Sequence, residues 1–333
     1  MKAFGALNSS IQSICEFKSI DPSPAPDEIL VRVKAVSVNP VDTKVRKLIG
    51  PDDLPTPRIL GFDAAGIVEH VGADVSTFET GDEVFYSGDV TKAGSNAELQ
   101  VVQAAVVAKK PKTFSWAEAA ALPLVALTGW ELLFERMVAK DLPQGSSILI
   151  INGSGGVGSA IIPLAKSIGL TVVTTASREA SIQWCLDLGA DHVINHRKNL
   201  KDQSVSLGFP EFPLIANLYD TELYWDATSE LLAPLGTLGL IVETQNPVDI
   251  GNPLRLKSPR IVWEYMPART RFQTDDLHHQ GEILTTIANW CDEGNFPKIN
   301  QVEPRELSVE NLKAVHHEME SATSIGKATL ELH

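Results

Sequence analysis

The chain has 333 residues, 44% of them apolar and 21% charged, with a formal net charge of −14. That length predicts about two domains, each with a core of its own. So acidic a surface repels phosphate backbones and anionic lipid, which argues against nucleic acid and membrane surfaces as partners and leaves an anionic ligand only a locally built pocket. The first third reads as strands punctuated by Pro and Gly. In EILVRVKAV, Ile29, Val31, Val33 and Ala35 alternate with Leu30, Arg32 and Lys34, the period of a strand with one buried face. GIVEHVG (66–72) and DEVFYSG (82–88) read the same way. From about residue 116 the texture turns helical in SWAEAAALPLVALTGWELLF, with Ser115 as N-cap and Glu118 completing a capping box. Strand and helix then alternate: SSILIIN (146–152), a helix to about Ile168, TVVTTAS (171–177), the helix EASIQWCLDLG, and the short apolar runs HVIN, PLIANL and TLGLIV. Such alternation predicts a parallel sheet covered by helices on both faces. A helix from Asp275 to about Cys291 and a last strand, ATLEL, return the tail to the first part.

Cys15, Cys185 and Cys291 are scattered and form no C-x-x-C, so neither a disulfide framework nor a thiolate metal cage is expected, and a reducing compartment is. MKAFGALNSS lacks the apolar core of a signal peptide. The longest apolar run, Ala119 to Leu127, contains Pro123 and falls short of the ~20 residues of a membrane span, so a cytoplasmic protein is expected.

The stretch INGSGGVGS (151–159) carries the strongest chemical signal. Gly153-x-Gly155-x-x-Gly158 follows a strand and opens a helix, which makes Gly153, Ser154, Gly155, Gly156, Val157 and Gly158 the expected cradle for a dinucleotide diphosphate. Gly153 makes the turn, Gly155 lets the backbone approach the phosphates, and Gly158 brings the helix close to the strand. The helix N-terminus supplies free N–H groups and partial positive charge. Pro163 inside this helix is a misfit. The second strand ends Thr174-Thr175-Ala176-Ser177-Arg178, with no acid at its tip. Ser177 and Arg178 suit a ribose 2′-phosphate, so NADPH is favoured over NADH. The competing reading has Arg178 capping a surface turn and Glu179 in the acidic role.

Other machines are excluded by their missing residues: no Tyr-x-x-x-Lys, G-x-S-x-G, H-E-x-x-H or Walker lysine stands in the chain. His278-His279 and His316-His317 read as solvated helix surface. In order and spacing, SVNPVDTKVR (37–46), GFDAAGIVEHVG (61–72), GSNAEL (94–99), EAAALPLVALTGWELL (118–133), LGADHVINH (188–196) and GKATLEL (326–332) resemble the medium-chain dehydrogenase/reductase superfamily, in particular its zinc-lacking quinone oxidoreductase branch and the zinc-type alcohol dehydrogenase-like proteins. The resemblance spans nearly the whole chain. It implies an α/β fold, with a Rossmann doubly wound parallel-sheet domain (119–267) inserted into a mainly-β GroES-like domain (1–118 plus 268–333).

Zinc-using relatives carry Cys where Asn39 stands and His where Phe62 stands; Phe cannot coordinate a cation, so no metal is expected. Without metal the acceptor should already be electron-poor, a quinone or an α,β-unsaturated carbonyl. The implied activity is zinc-independent hydride transfer from NADPH to such a small molecule. The alternatives are an NADPH-binding sensor or structural protein with little turnover and, more remotely, a zinc alcohol dehydrogenase. By resemblance Asn39 and Asp42 line the substrate cleft, and Tyr86 is a candidate donor to the substrate oxygen. Against these stand structural readings: a turn at Asn39-Pro40, a helix cap at Asp42, a wall residue at Tyr86. Thr128, His196 and Lys327 match cofactor-side positions, and Leu218, closing PLIANL, is counted with them. Relatives are mostly homodimers that pair Rossmann sheets edge to edge, with TLGLIV as the candidate edge here.

Overall fold

The computed structural model describes residues 1–251, 254–300, 303–321 and 324–332. The chain divides into two compact units, Met1–Leu127 with Pro267–His333, and Thr128–Met266.

The first unit opens with β1 (Lys2–Ala6), β2 (Ile14–Lys18), β3 (Glu28–Ser37), α1 (Pro40–Lys47), β4 (Arg58–Ile59), β5 (Asp63–Val71), β6 (Glu83–Ser87), β7 (Leu99–Gln103) and β8 (Val107–Lys109). Alternation in β3 buries Ile29, Val31, Val33 and Ala35 and leaves Arg32 exposed. Pro40 starts α1, where its fixed φ suits the first turn and its missing N–H costs nothing. The predicted capping box before α2 (Trp116–Ala120) is present: Glu118 N donates to Ser115 Oγ at 3.3 Å, and Ser115 N to Glu118 Oε2 at 2.7 Å. The helical stretch that follows is not continuous. Pro123 begins α3 (Pro123–Trp130), and a π-helical turn runs from Glu131 to Arg136. Trp116–Arg136 is apolar and long enough to span a membrane on those criteria alone, yet 83% of its most apolar window is buried inside the structure, as in a core helix.

The second unit alternates β9 (Ser147–Ile151), α4 (Gly156–Ser167), β10 (Thr171–Thr175), α5 (Glu179–Asp187), β11 (His192–Ile194), α6 (Leu200–Ser206), β12 (Phe212–Asn217), α7 (Trp225–Leu231), β13 (Leu232–Leu240) and β14 (Arg260–Trp263). These strands form one parallel six-stranded sheet in the order β11-β10-β9-β12-β13-β14. TLGLIV is therefore not the sheet edge: β13 lies between β12 and β14, and β14 is the edge strand.

The chain then returns to the first unit through α8 (Ala268–Phe272), α9 (His279–Asp292), β15 (Arg305–Glu306), α10 (Val309–Glu320) and β16 (Thr329–Glu331). β16 pairs antiparallel with β3, so the tail completes the sheet β15-β16-β3-β5-β6-β8. That sheet is antiparallel apart from β15–β16, and β7 adds to β3. α10 corrects the solvated reading of His316-His317: His316 is buried, facing Arg46 of α1, because the helix turns its Leu312–Val315–His316 face inward.

Candidate functional site

The glycine turn lies at the carboxyl end of β9, where the strand order reverses between β10 and β12. Such switch points are where open α/β sheets bind ligands. Asn152 takes a left-handed backbone, φ 69°, and its N–H donates to Thr175 Oγ1 at 2.8 Å, tying the turn to β10. A Cβ on Gly153 would fall 2.0 Å from Thr174 Oγ1, and one on Gly158 would fall 2.3 Å from the Asn152 carbonyl oxygen. Both positions thus need glycine for the close approach of α4 and β10 to the turn. At Gly155 the added Cβ would meet only the tip of the Asn152 side chain, at 2.6 Å, a contact that side chain can relieve by moving. Gly155 is the N-cap of α4 and offers no side-chain cap. Ser159 N donates to the Gly155 carbonyl, while the N–H groups of Gly156, Val157 and Gly158 meet no partner among the described residues. Three free donors and the positive end of a helix fit a diphosphate.

The other second-unit candidates gather around this end of the sheet. β10 and β11 run in register, Thr175 opposite Ile194, which brings Ser177 and Arg178 beside His196. Ser177 is half-buried; Arg178 and His196 are exposed. The Arg178 guanidinium makes no hydrogen bond or ion pair with any described residue. Burial first, and then the charges of Arg197 and Arg178, hold the His196 imidazole below its ordinary pKa. Arg178 is the N-cap residue of α5, but its side chain makes no cap bond there. Leu218 N donates to the Ile151 carbonyl at 3.4 Å, which sets this buried residue beside the glycine turn. Thr128 is buried on α3, one residue before Gly129, whose Cβ position lies 3.5 Å from Ile161 of α4.

In the first unit the structure brings Asn39, Asp42 and Lys327 together, and adds Asp63. Asp63 Oδ2 accepts from Ser37 Oγ at 2.9 Å and from Asn39 Nδ2 at 2.8 Å, and its Oδ1 accepts from Leu124 N at 2.8 Å. The Lys327 ammonium donates to the Val38 carbonyl at 3.1 Å and to Asn39 Oδ1, and stands 3.5 Å from Asp63 Oδ2. All four polar residues are buried. Burial pulls Lys327 below the ordinary lysine range, opposed by Asp63 and Asp42. Lys327, expected on the cofactor side, directs its N–H groups into this interior cluster. Asp42, expected in the substrate cleft or as a helix cap, makes the cap contacts of α1: its oxygens accept from Asn39 N at 2.7 Å and Gly61 N at 2.8 Å. Burial pushes its carboxyl up to about 7, against the pull of those N–H groups and Lys327.

Tyr86 stands apart. It is fully buried in β6 and donates its hydroxyl to Gln100 Oε1 at 2.9 Å, so the phenol is committed within the sheet rather than free for a substrate. Burial raises its pKa further, which keeps it neutral. Asp63 was missed from the sequence. The one available signal was a lone acid inside the apolar run GFDAAG, a position that must be paired when buried.

The profile of the alcohol dehydrogenase GroES-like domain matches residues 25–112, and that of zinc-binding dehydrogenases matches 188–330. A zinc-type alcohol dehydrogenase-like protein of Staphylococcus aureus is 42% identical over 317 residues, covering 93% of this chain and 92% of its own. The chain belongs to the medium-chain dehydrogenase/reductase superfamily. A solved chain from Rhizobium etli, provisionally named a zinc-dependent alcohol dehydrogenase, is 39% identical with a TM-score of 0.93, covering 99% of this chain and 98% of its own. An NADPH-dependent alkenal/one oxidoreductase of Arabidopsis thaliana is 37% identical over 197 residues, 56% of this chain and 50% of its own. The medium-chain dehydrogenase/reductase fold, a GroES-like unit with an inserted Rossmann sheet, accounts for both units described above.

Several superfamily names carry zinc, but this donor set does not fit it. Asn39 Oδ1 already faces an ammonium ion, Phe62 packs in the apolar core, and no group of three His, Cys, Asp or Glu among the described residues is arranged to hold a metal. A dication beside Lys327 would be repelled by it.

Proposed function

We propose that this oxidoreductase of the medium-chain type uses NADPH to reduce electron-poor small molecules, α,β-unsaturated carbonyls or quinones, without a metal. The observation that carries the reading is Arg178, an unpaired guanidinium beside His196 at the carboxyl edge of the sheet next to the glycine turn. A planar donor fork of this kind suits a phosphate monoester, which distinguishes NADPH from NADH. The Arabidopsis relative, by its name, uses NADPH and acts on alkenals and enones.

When bound, NADPH supplies a hydride for the electron-poor carbon of the acceptor. The chain's own residues do the rest. The N–H groups of Gly156, Val157 and Gly158 bind the diphosphate. Arg178, with Ser177 and His196 around it, takes the 2′-phosphate. Leu218 and Thr128 give apolar and polar wall. In a reduction of this class the acceptor's oxygen gains negative charge, which a fixed N–H donor stabilises and a proton from water then quenches. A conjugated acceptor spreads that charge by itself, so no metal is required. The three free cysteines, two of them buried, support a reducing cytoplasm as the place of action.

The test is fluorescence titration with NADPH and NADH, followed by an acceptor panel of small enones, quinones, aldehydes and ketones. Tighter NADPH binding and NADPH consumption by the conjugated acceptors are expected. Binding with no turnover on any acceptor would instead favour a sensor or structural protein.

A further inference from the structure

The Asn39 carboxamide is held between two opposite charges, and this fixes which way it faces. Its Oδ1 accepts from the Lys327 ammonium, and its Nδ2 donates to Asp63 Oδ2 at 2.8 Å. Rotating the amide by half a turn would set NH₂ against an ammonium and a carbonyl oxygen against a carboxylate, unfavourable at both ends. The charges are themselves anchored. Asp63 is held by Ser37 and by the backbone N–H of Leu124, and Lys327 by the Val38 carbonyl. β5 delivers Asp63 opposite Ser37 of β3, and β16, paired with β3, delivers Lys327 from the far end of the chain. An amide nitrogen carries two N–H groups, and only one of Asn39's is used; the other has no partner among the described residues, although Asn39 is 0% exposed. A buried N–H without an acceptor is costly, so such a group is a poor structural element and a ready donor to an incoming oxygen.

We propose that Lys327 and Asp63 are positioning residues that present this second N–H of Asn39 to the carbonyl oxygen of the acceptor. The proposal rests on the reductase reading and deepens it. Lys327 does not touch the acceptor. Its charge on Oδ1 draws electron density along the amide, which makes the remaining N–H a stronger donor to an oxygen acquiring negative charge. The chain's own ammonium thereby supplies positive potential through one neutral group, where a metal would supply it by direct contact. The chemistry selects acceptors with a carbonyl or quinone oxygen over conjugated compounds lacking one.

The experiment exchanges the ends of the contact in the full-length protein. N39D sets a carboxylate against Asp63, and D63N strips Lys327 of its carboxylate; each is expected to lower Tm. The double variant N39D/D63N gives the lysine one carboxylate again, at position 39, and lets the amide introduced at position 63 donate to it. Its Tm and its Kd for NADPH are expected to recover, while kcat with an enone stays down about ten- to a hundred-fold, because position 39 no longer has an N–H. A double variant with wild-type kcat overturns the donor role, and N39D with wild-type Tm overturns the orientation. If the double variant does not recover its Tm, N39A decides, since it leaves Lys327 and Asp63 to pair directly; wild-type kcat there overturns the proposal. K327M is expected to lower kcat, K327R to restore part of it, and Kd for NADPH to stay unchanged in both. A weakened Kd with unchanged kcat would make Lys327 a cofactor contact instead. Wild-type protein that consumes no acceptor overturns the reductase reading itself, while the Tm pattern still tests the amide orientation.

Discussion

At the scale of single residues, charge placement divides the molecule's polar groups by task. Arg178 stays exposed and unpaired, as a group awaiting an anion does. R178D should weaken NADPH binding by about ten- to a hundred-fold, the range of one lost charge-assisted fork, and leave NADH nearly unaffected; fluorescence titration with both nucleotides measures it, and unchanged NADPH affinity would remove Arg178 from the phosphate site. His316 is a second case. Burial, with Arg46 adding to it, holds its imidazole down at about 4, and its Nδ1 has no partner among the described residues. The folded protein therefore resists protonation that the unfolded chain accepts near 6.5. The stability this neutral form contributes is complete above pH 6.5 and is lost as pH falls through the window from 6.5 to 4. Relative to an H316Q variant, the wild type should lose roughly 2 kcal/mol between about pH 7 and about pH 4.5, read from urea unfolding at both values. A pH-independent difference between the two would show that His316 does not titrate on unfolding. Neither residue's role was legible in full. Arg178 could be read because it follows a strand–turn–helix signature, whereas His316 looked like one of a solvated pair until α10 showed which face turns inward.

Elements show how local rules give way to packing. Around the glycine turn the sequence rule and the geometry agree, since Gly153 and Gly158 sit where any Cβ would collide with Thr174 or with backbone. G158A should destabilise the second unit by about 1–3 kcal/mol, the usual cost of overpacking, and reduce nucleotide affinity as α4 shifts; thermal unfolding with and without NADPH separates the two effects. Wild-type Tm and affinity in G158A would mean that α4 tolerates the shift. Pro163 interrupts α4 in sequence but not in structure, for the helix runs unbroken from Gly156 to Ser167. It forgoes the hydrogen bond to Ser159 that any other residue would make. P163A should accordingly raise Tm, and a fall in Tm would show that the ring's packing outweighs the missing bond. The opposite lesson comes from residues 116–136. Apolar all round, they read as one helix, yet Pro123 restarts the helix and a π turn closes it. Uniform burial removes the periodic signal that would have marked those joints.

The whole molecule is a question of which strand meets which. β16 joins β3 across nearly the entire length of the chain, and β14 takes the sheet edge that TLGLIV was expected to hold. We propose that two copies pair along β14, whose Trp263 is 46% exposed, as is the neighbouring Tyr265. Sedimentation velocity should then give a dimer for the wild type and a monomer for W263K; a monomeric wild type would refute it. The sequence by itself determined the alternation of strand and helix and the glycine cradle, because each rests on periodicity or on spacing within a few residues, while the family came from a resemblance carried by motifs along nearly the whole chain. It also brought Asn39, Asp42 and Lys327 into view, but not the contacts that join them. Only the tertiary structure decided that Asp42 caps a helix, that Tyr86 is committed to Gln100, that β14 is the edge, and that Lys327 and Asp63 grip Asn39 from either end. The physical reason is common to all four. A buried polar group takes its role from the partner that satisfies it, and a strand takes its position from its neighbours; apart from Asn39 beside Asp42, which a local pattern can name, the polar partners lie from 14 to 288 residues away.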